Sequence, residues 1–325
     1  MGIVAALLAF ADVKTVIALV IHFPRANLLW FLVLSVIYEF IRYTQWRYLL
    51  RALHVRTPQR PQVFAFIMSE FSRNLPVGDY FQNYLLQQST GADFSRTAAA
   101  TTLILASEVT LCLLGVLILG LGAWTTPVRA VIIGGTALVV LLMLLLAWAY
   151  TRLRRSAWAL RWVKEHKGPR TVARAVNRFR EGAGDLFHPR ILLIQGLLGA
   201  AYLLIASGGL YVVVQGLDPR LSIDFPQVAA VYLFALASAA LFPAPEAGGV
   251  GAFLAFGVGR NVAVGAMLLN RVLSIAFALI SAVVAIAVLP GEVRAVLQTR
   301  GRSMREVRAL KDERLDIHVS GNAIR

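Results

Sequence analysis

Residues 94–124, 128–150, 191–217 and 262–289 each form an apolar run holding at most two charged side chains. A helix needs about 20 such residues to cross a hydrocarbon core about 30 Å thick. Such runs commit the chain to crossing a bilayer several times. Composition agrees: 58% of residues are hydrophobic and 15% charged, against about 25% charged in soluble domains. Residues 128–150 follow 94–124 across a Thr125-Thr126-Pro127 turn, which predicts a helical hairpin. Residues 28–41 form a shorter span that enters the basic stretch Arg42, Arg47, Arg51, Arg56 and Arg60. Residues 1–23 are apolar but interrupted by Asp12 and Lys14, and read as a short first span followed by an amphipathic segment. No basic n-region or clear cleavage site marks a cleavable signal peptide there.

The formal net charge of +15 would suggest nucleic acid in a soluble protein. Here the basic residues lie between the apolar runs, where the positive-inside rule and anionic headgroups account for them. No nucleic-acid partner is expected. Cys112 is the single cysteine, which excludes an intrachain disulfide and a cysteine-based metal cluster.

The three basic regions, 42–60, 152–180 and 291–325, should face the cytoplasm. The loops near 125 and 220 hold only Arg129 and Arg220 as basic residues and should face outward. Residues 62–90 must then begin and end inside, and 225–260 must begin and end outside. Helix breakers interrupt each near its middle: Leu75-Pro76-Val77-Gly78-Asp79 in one, and Phe242-Pro243-Ala244-Pro245-Glu246-Ala247-Gly248-Gly249 in the other. Each reads as a re-entrant hairpin of two half-helices, and two such breaks of opposite orientation predict an inverted repeat with a site between them. The plainer alternative is a pair of ordinary turns outside the membrane, with a different count of crossings. The expected fold is all-α and polytopic, with about six crossing helices plus two re-entrant helical hairpins. Residues 1–290 form the membrane domain, and residues 291–325 a basic cytoplasmic tail with a short helix.

Four stretches, in this order, resemble the membrane domain of bacterial lysyl-phosphatidylglycerol synthases and the stand-alone flippase-like proteins related to it. They are Arg47 to Leu53 (RYLLRAL), Leu75 to Leu86 (LPVGDYFQNYLL), Phe242 to Phe253 (FPAPEAGGVGAF) and Leu268 to Arg271 (LLNR). The departures are specific. After the first break the family has Gly-Glu, two residues, then Arg; here Gly78 and Asp79 are followed by Tyr80, Phe81 and Gln82. In the next span the family often has Glu-Arg, and here Glu108 is followed by Val109. Gly248-Gly249-Val250-Gly251 fits the second break, but the glutamate that follows it in the family is missing and Glu246 is the nearby acid. The resemblance implies a stand-alone member, without the aminoacyl-transferring domain, that moves a lipid between leaflets of the bacterial inner membrane.

Charged side chains in a bilayer centre cost about 2.5–3.5 kcal/mol each, so they are paired or functional. Arg271 is the best candidate for a lipid phosphate, since its fork matches phosphate geometry, and a structural salt bridge is the alternative. Glu108, near the middle of its span, either pairs with Arg271 or Arg73 or lines the lipid path. Glu70 and Arg73 are spaced i, i+3 and face the same way. Glu39, Arg42 and Arg47 stand near a span end, where snorkelling explains them. Gly248, Gly249 and Gly251 would let backbone N–H groups approach an anion at a half-helix start, or would serve close helix packing. Asp79 is expected to cap its helix or pair with a cation. The candidate substrate-binding set is therefore Arg271, Glu108, Gly248, Gly249, Gly251, Glu246, Arg73, Asp79, Glu70 and Gln82.

No catalytic residue, metal or cofactor is expected. His22, His54, His166, His188 and His318 lack metal-site spacing, and no Gly-x-Ser-x-Gly or phosphate-loop motif occurs. The expected partners are membrane lipids with an anionic headgroup. The alternatives are a membrane-embedded transferase for a lipid-linked substrate and an assembly partner of a lipid-modifying enzyme.

Overall fold

A computed structural model describes residues 21–73, 78–120, 169–239 and 245–298, with the isolated positions 14, 17, 18, 134 and 137. Among the described residues all regular structure is helical. In chain order the helices are α1 (Arg25–Ala52), α2 (Gln59–Ser72), a 3-10 turn (Gly78–Tyr80), α3 (Phe81–Thr90), α4 (Phe94–Gly120) and α5 (Pro169–Leu186). They continue with α6 (Pro189–Leu217), α7 (Phe225–Ala239), α8 (Pro245–Ala255) and α9 (Arg260–Val288). Residues 290–298 are also helical. Among the described residues four helices, α1, α4, α6 and α9, are long and apolar enough to cross a membrane. The protein is a multi-pass membrane protein.

Local chemistry sets the helix ends. Asp93 caps α4, its Oδ1 accepting from the Ser95 and Arg96 amides at 2.9 and 3.2 Å. Pro189 opens α6 where its missing N–H is no loss, and Gly91 closes α3 in the left-handed region at φ 73°.

A long, short, short, long series of helices occurs twice. In α1, α2, α3 and α4 the lengths are 28, 14, 10 and 27 residues; in α6, α7, α8 and α9 they are 29, 15, 11 and 29. The two series start in opposite directions. Asn27 near the start of α1 donates to the Val212 carbonyl near the end of α6 at 2.9 Å, while Gln45 late in α1 reaches the Gln195 carbonyl early in α6 at 3.5 Å. The seam is close because α6 presents glycines to α1; a side chain at Gly216 would collide with Phe23. One apolar core gathers α6 to α9 around Phe253 and Val264, and another gathers α1 to α4 around Trp46 and Leu86.

Several sequence expectations need correction. The span expected over 28–41 is the longer helix Arg25–Ala52. The apolar run stops before Arg42, but the helix does not, because Arg42 is buried inside the bundle. The stretch 242–249 is not wholly a break: Pro245 to Gly249 already belong to α8. The basic loop 152–180 is helical from Pro169, and α5 lies along α4 through the Arg96–Asp185 pair at 2.9 Å and the Arg178–Asp93 pair. The expected segment 1–23 falls largely, and the span 128–150 and tail 299–325 almost wholly, outside the described residues, as do 74–77 and 240–244 within the two breaks.

Candidate functional site

Both pairs of short helices fold back on themselves. In the first, Ser72 Oγ donates to the Gly78 carbonyl at 3.0 Å and Ser69 Oγ approaches Gln82 Oε1 at 3.3 Å. In the second, Gly248 packs on Ser238 and Ala235. Arg73 and Asp79 of the first pair and Glu246 of the second come together with residues near the middles of α1, α4, α6 and α9. There a cleft of about 270 Å³ opens.

The charged residues singled out from sequence largely meet in this cleft. Glu70, Arg73, Asp79, Glu108, Glu246 and Arg271 all line it, with Tyr38, Glu39, Tyr232 and Asn270. Arg73 is the hub of the first wall. Its Nε holds Asp79 at 2.9 Å, and its Nη1 holds Glu70 at 3.1 Å and the Tyr38 hydroxyl at 2.8 Å. Glu108 stands 3.9 Å from Arg73 Nη2, too far for a hydrogen bond, and its Oε2 has no hydrogen-bond partner. Asp79 pairs with a cation, as one of its two expected roles required. Arg271 faces this wall from α9, with Glu246 of α8 at 3.4 Å. Arg271 is 41% exposed while Glu246 is 14% exposed, so the guanidinium is the accessible member of that pair.

Arg42 supports the cleft from behind. Its Nη1 donates to the same Tyr38 hydroxyl at 2.8 Å, and its guanidinium lies 5.3 Å from the Tyr202 ring centre and 5.7 Å from that of Tyr38. Arg42 therefore does not snorkel to the surface, as its place after the apolar run suggested. Glu39 likewise belongs to the cleft rather than to a span end.

The glycines sit differently from the acids and arginines. Gly248 and Gly249 lie in the first turns of α8, where side chains would collide with Ser238 and Met267. Their observed work is close packing of the second hairpin. Gly251 is exposed and has nothing near its missing side chain. Gln82 is buried and donates to Thr101 Oγ1 at 3.0 Å, beside Asn83, which donates to the same oxygen at 2.9 Å. Where the resemblance predicts an arginine, this chain uses an amide to fasten α3 to α4.

The model of the lysylphosphatidylglycerol synthase TM region matches residues 1–291. The chain belongs to that family. No curated protein matches it. In this lysylphosphatidylglycerol synthase TM-region protein, the cleft mixes signs unevenly. Glu39, Glu70, Asp79, Glu108 and Glu246 face Arg73 and Arg271, with Arg42 behind. Carboxyl groups outnumber guanidiniums in and around the cleft. Sequence reading missed Tyr38, Tyr202, Tyr232 and Asn270, since uncharged polar residues do not stand out in an apolar run. The i, i+4 spacing of Tyr38 and Arg42 was the available signal. Among the described residues, no group of histidine, cysteine and acidic side chains has the arrangement of a metal site.

Proposed function

We propose that this protein moves a lipid, or a lipid-linked substrate, between the leaflets of the bacterial inner membrane, without catalysing a reaction. In this reading the two series of helices form an inverted repeat, with about six crossing helices and two hairpins that enter and leave on one face each. The basic regions and the C-terminus lie in the cytoplasm. The observation that carries the reading is the charged cleft in which Glu70, Arg73, Asp79 and Glu246 of the two helix pairs come together with residues near the middles of the long helices. Ionic side chains deep in a bilayer are costly unless they pair or serve something polar that passes, and in the Arg271–Glu246 pair the guanidinium stays the more exposed member, open to a ligand. The antiparallel packing of α1 and α6 supports the inverted repeat.

A side opening suits a lipid. Among the described residues, α1 and α9 touch each other little, yet both pack on α6, whose Ile205, Ala206 and Gly209 line the cleft between them. A headgroup would enter there while its tails stay in hydrocarbon. Arg271 holds the phosphate, and the carboxylate surplus around Glu39 and Glu108 receives a positive part of the headgroup. Lysylphosphatidylglycerol, in the family's name, has both kinds of group.

The test is leaflet accessibility in proteoliposomes, with fluorescent anionic, zwitterionic and cationic lipids, comparing wild type with Arg271→Ala. Faster movement of one headgroup class, lost in the variant, supports translocation and gives its charge preference. No acceleration for any class sinks the reading and favours a non-transporting partner of a lipid-modifying enzyme.

A further inference from the structure

A second basic recess lies away from the central cleft, at the turn from α1 into α2. It is lined by Arg47, Arg51, His54, Arg56, Thr57 and Gln62, with Val55 and Gln59. Among the described residues none of these arginines makes an ion pair. The acids Asp93 and Asp185 are already paired with Arg178 and Arg96. Unpaired arginines grouped in one recess present converging N–H donors, which suit a phosphate.

The backbone at this turn carries an independent mark. His54 is the one non-glycine residue with positive φ among those described, at 57°. The Val55 amide bonds the Leu50 carbonyl at 3.0 Å and the His54 amide bonds the Arg51 carbonyl at 2.9 Å. This pair of bonds is a Schellman closure, whose left-handed position normally takes glycine. A side chain there costs about 1–2 kcal/mol, and here that side chain is an imidazole lining the basic recess. Strained positions of this kind gather at ligand sites. Gln62 is 6% exposed, its amide nitrogen is held by Thr57, and its Oε1 has no partner, an acceptor that suits a hydroxyl of the headgroup rather than its phosphate.

The outer face of α1 indicates what would come there. Val36, Phe40, Arg47 and Arg51 follow helical spacing down one side of α1. Val36 is 57% and Phe40 69% exposed among the described residues. An apolar stripe thus runs directly into the cations. That sequence of surfaces matches one phospholipid, with tails along Val36 and Phe40 and phosphate at Arg47 and Arg51.

We infer that the α1–α2 turn is a binding site for the phosphate of an anionic phospholipid in the leaflet on that side, separate from the central cleft. It requires no translocation and stands or falls independently of it. Phosphate chemistry is shared with free inorganic phosphate, so both serve as probes.

Full-length protein in phosphatidylcholine nanodiscs would be titrated with dihexanoyl phosphatidylglycerol, in an Arg271→Ala background so that the central cleft does not contribute. Saturable binding of one equivalent is expected. Loss of a charge-assisted hydrogen bond in Arg51→Gln should weaken it about tenfold, whereas Arg190→Gln, an exposed arginine at the start of α6, should leave it unchanged. His54→Gly relieves the strained turn, so it should raise the melting temperature while weakening binding. Equal weakening by Arg190→Gln, or unsaturable binding, would mean diffuse attraction to headgroups and overturn the site. Inorganic phosphate displacing the lipid at comparable concentration would overturn the lipid assignment in favour of a soluble anion.

Discussion

The Tyr38 hydroxyl accepts a hydrogen bond from Arg73 Nη1 at 2.8 Å and so joins the middle of α1 to the end of α2. The same oxygen accepts from Arg42 Nη1 at 2.8 Å. One phenol therefore spaces two guanidiniums that would otherwise repel, the Arg42 one buried and the Arg73 one at the cleft wall. Tyr38→Phe keeps the ring and removes only that acceptor. It should destabilise the fold by about 1–3 kcal/mol, the cost of leaving the buried Arg42 donor unsatisfied, since Arg73 Nη1 keeps Glu70. Thermal unfolding in detergent reads this. Because Arg73 also holds the Asp79 tip, the effects of Tyr38→Phe and Asp79→Asn should be non-additive in a double-mutant cycle. Strict additivity would show that the hairpin tip and α1 are not coupled.

The second hairpin depends on close contact rather than charge. A Cβ at Gly248 would meet Ser238 Oγ and Cβ. Gly248→Ala should destabilise the fold by about 1–3 kcal/mol, as overpacking does. Ser238→Ala in that background removes the nearest clashing atom and should restore part of the loss. Gly251→Ala, with open space around it, should be neutral or slightly stabilising, since alanine is the better helix former. A large loss at Gly251 would show that this glycine serves something other than packing.

At the end of α4 outside the cleft, acid should loosen the α4–α5 clamp. Partial burial pushes the Asp93 carboxyl up, but hydrogen bonds from the Arg178 guanidinium and the Arg96 and Ser95 amides outweigh it and hold the group below its usual range. A depressed carboxyl stabilises the fold above its unfolded value, about 3.9, and that stability is lost as pH falls through the lower folded value. The gap in melting temperature between wild type and Arg178→Ala should thus be flat near neutrality and close at acid pH. The gap should be small, because Arg178 is well exposed. A gap that widens on acidification would contradict the assignment.

How legible all this was follows from cost. Glu108 and Arg271 stood out because a charge inside an apolar run is expensive, and the structure brings both to one cleft. Arg42 did not, because the apolar run ends just before it while the helix runs on to Ala52. Hydropathy reports where lipid contact stops, not where a helix stops. Tyr38 and Tyr202 were invisible because a tyrosine costs little in an apolar span, and only tertiary packing turns them toward Arg42. The glycines near 248 read as a turn, since glycine is a poor helix former. They lie in α8 instead, because Pro245 can start a helix and the missing side chains allow contact with Ser238 and Met267. The alternation of helix lengths was legible only as two breaks; its antiparallel sense needed the contacts between α1 and α6.

The Arg271–Glu246 pair at 3.4 Å admits two roles, and a charge swap separates them. If the pair only fastens α9 to α8, then Arg271→Glu with Glu246→Arg keeps an attraction and should retain both stability and activity. If Arg271 holds a phosphate, the swap puts a carboxylate at the more exposed of the two positions and repels it. The swapped protein should then melt within a few degrees of wild type but lose lipid movement, while Glu246→Gln keeps most of it. Lysine at position 271 is the graded case. It retains the charge but not the bidentate fork, so Arg271→Lys should keep part of the transport and lose about tenfold in apparent lipid affinity. Comparing melting temperature with scrambling rate across these three variants checks the assignment. A swapped protein that still moves lipid at the wild-type rate would make Arg271 a structural residue and shift the phosphate contact to Arg73.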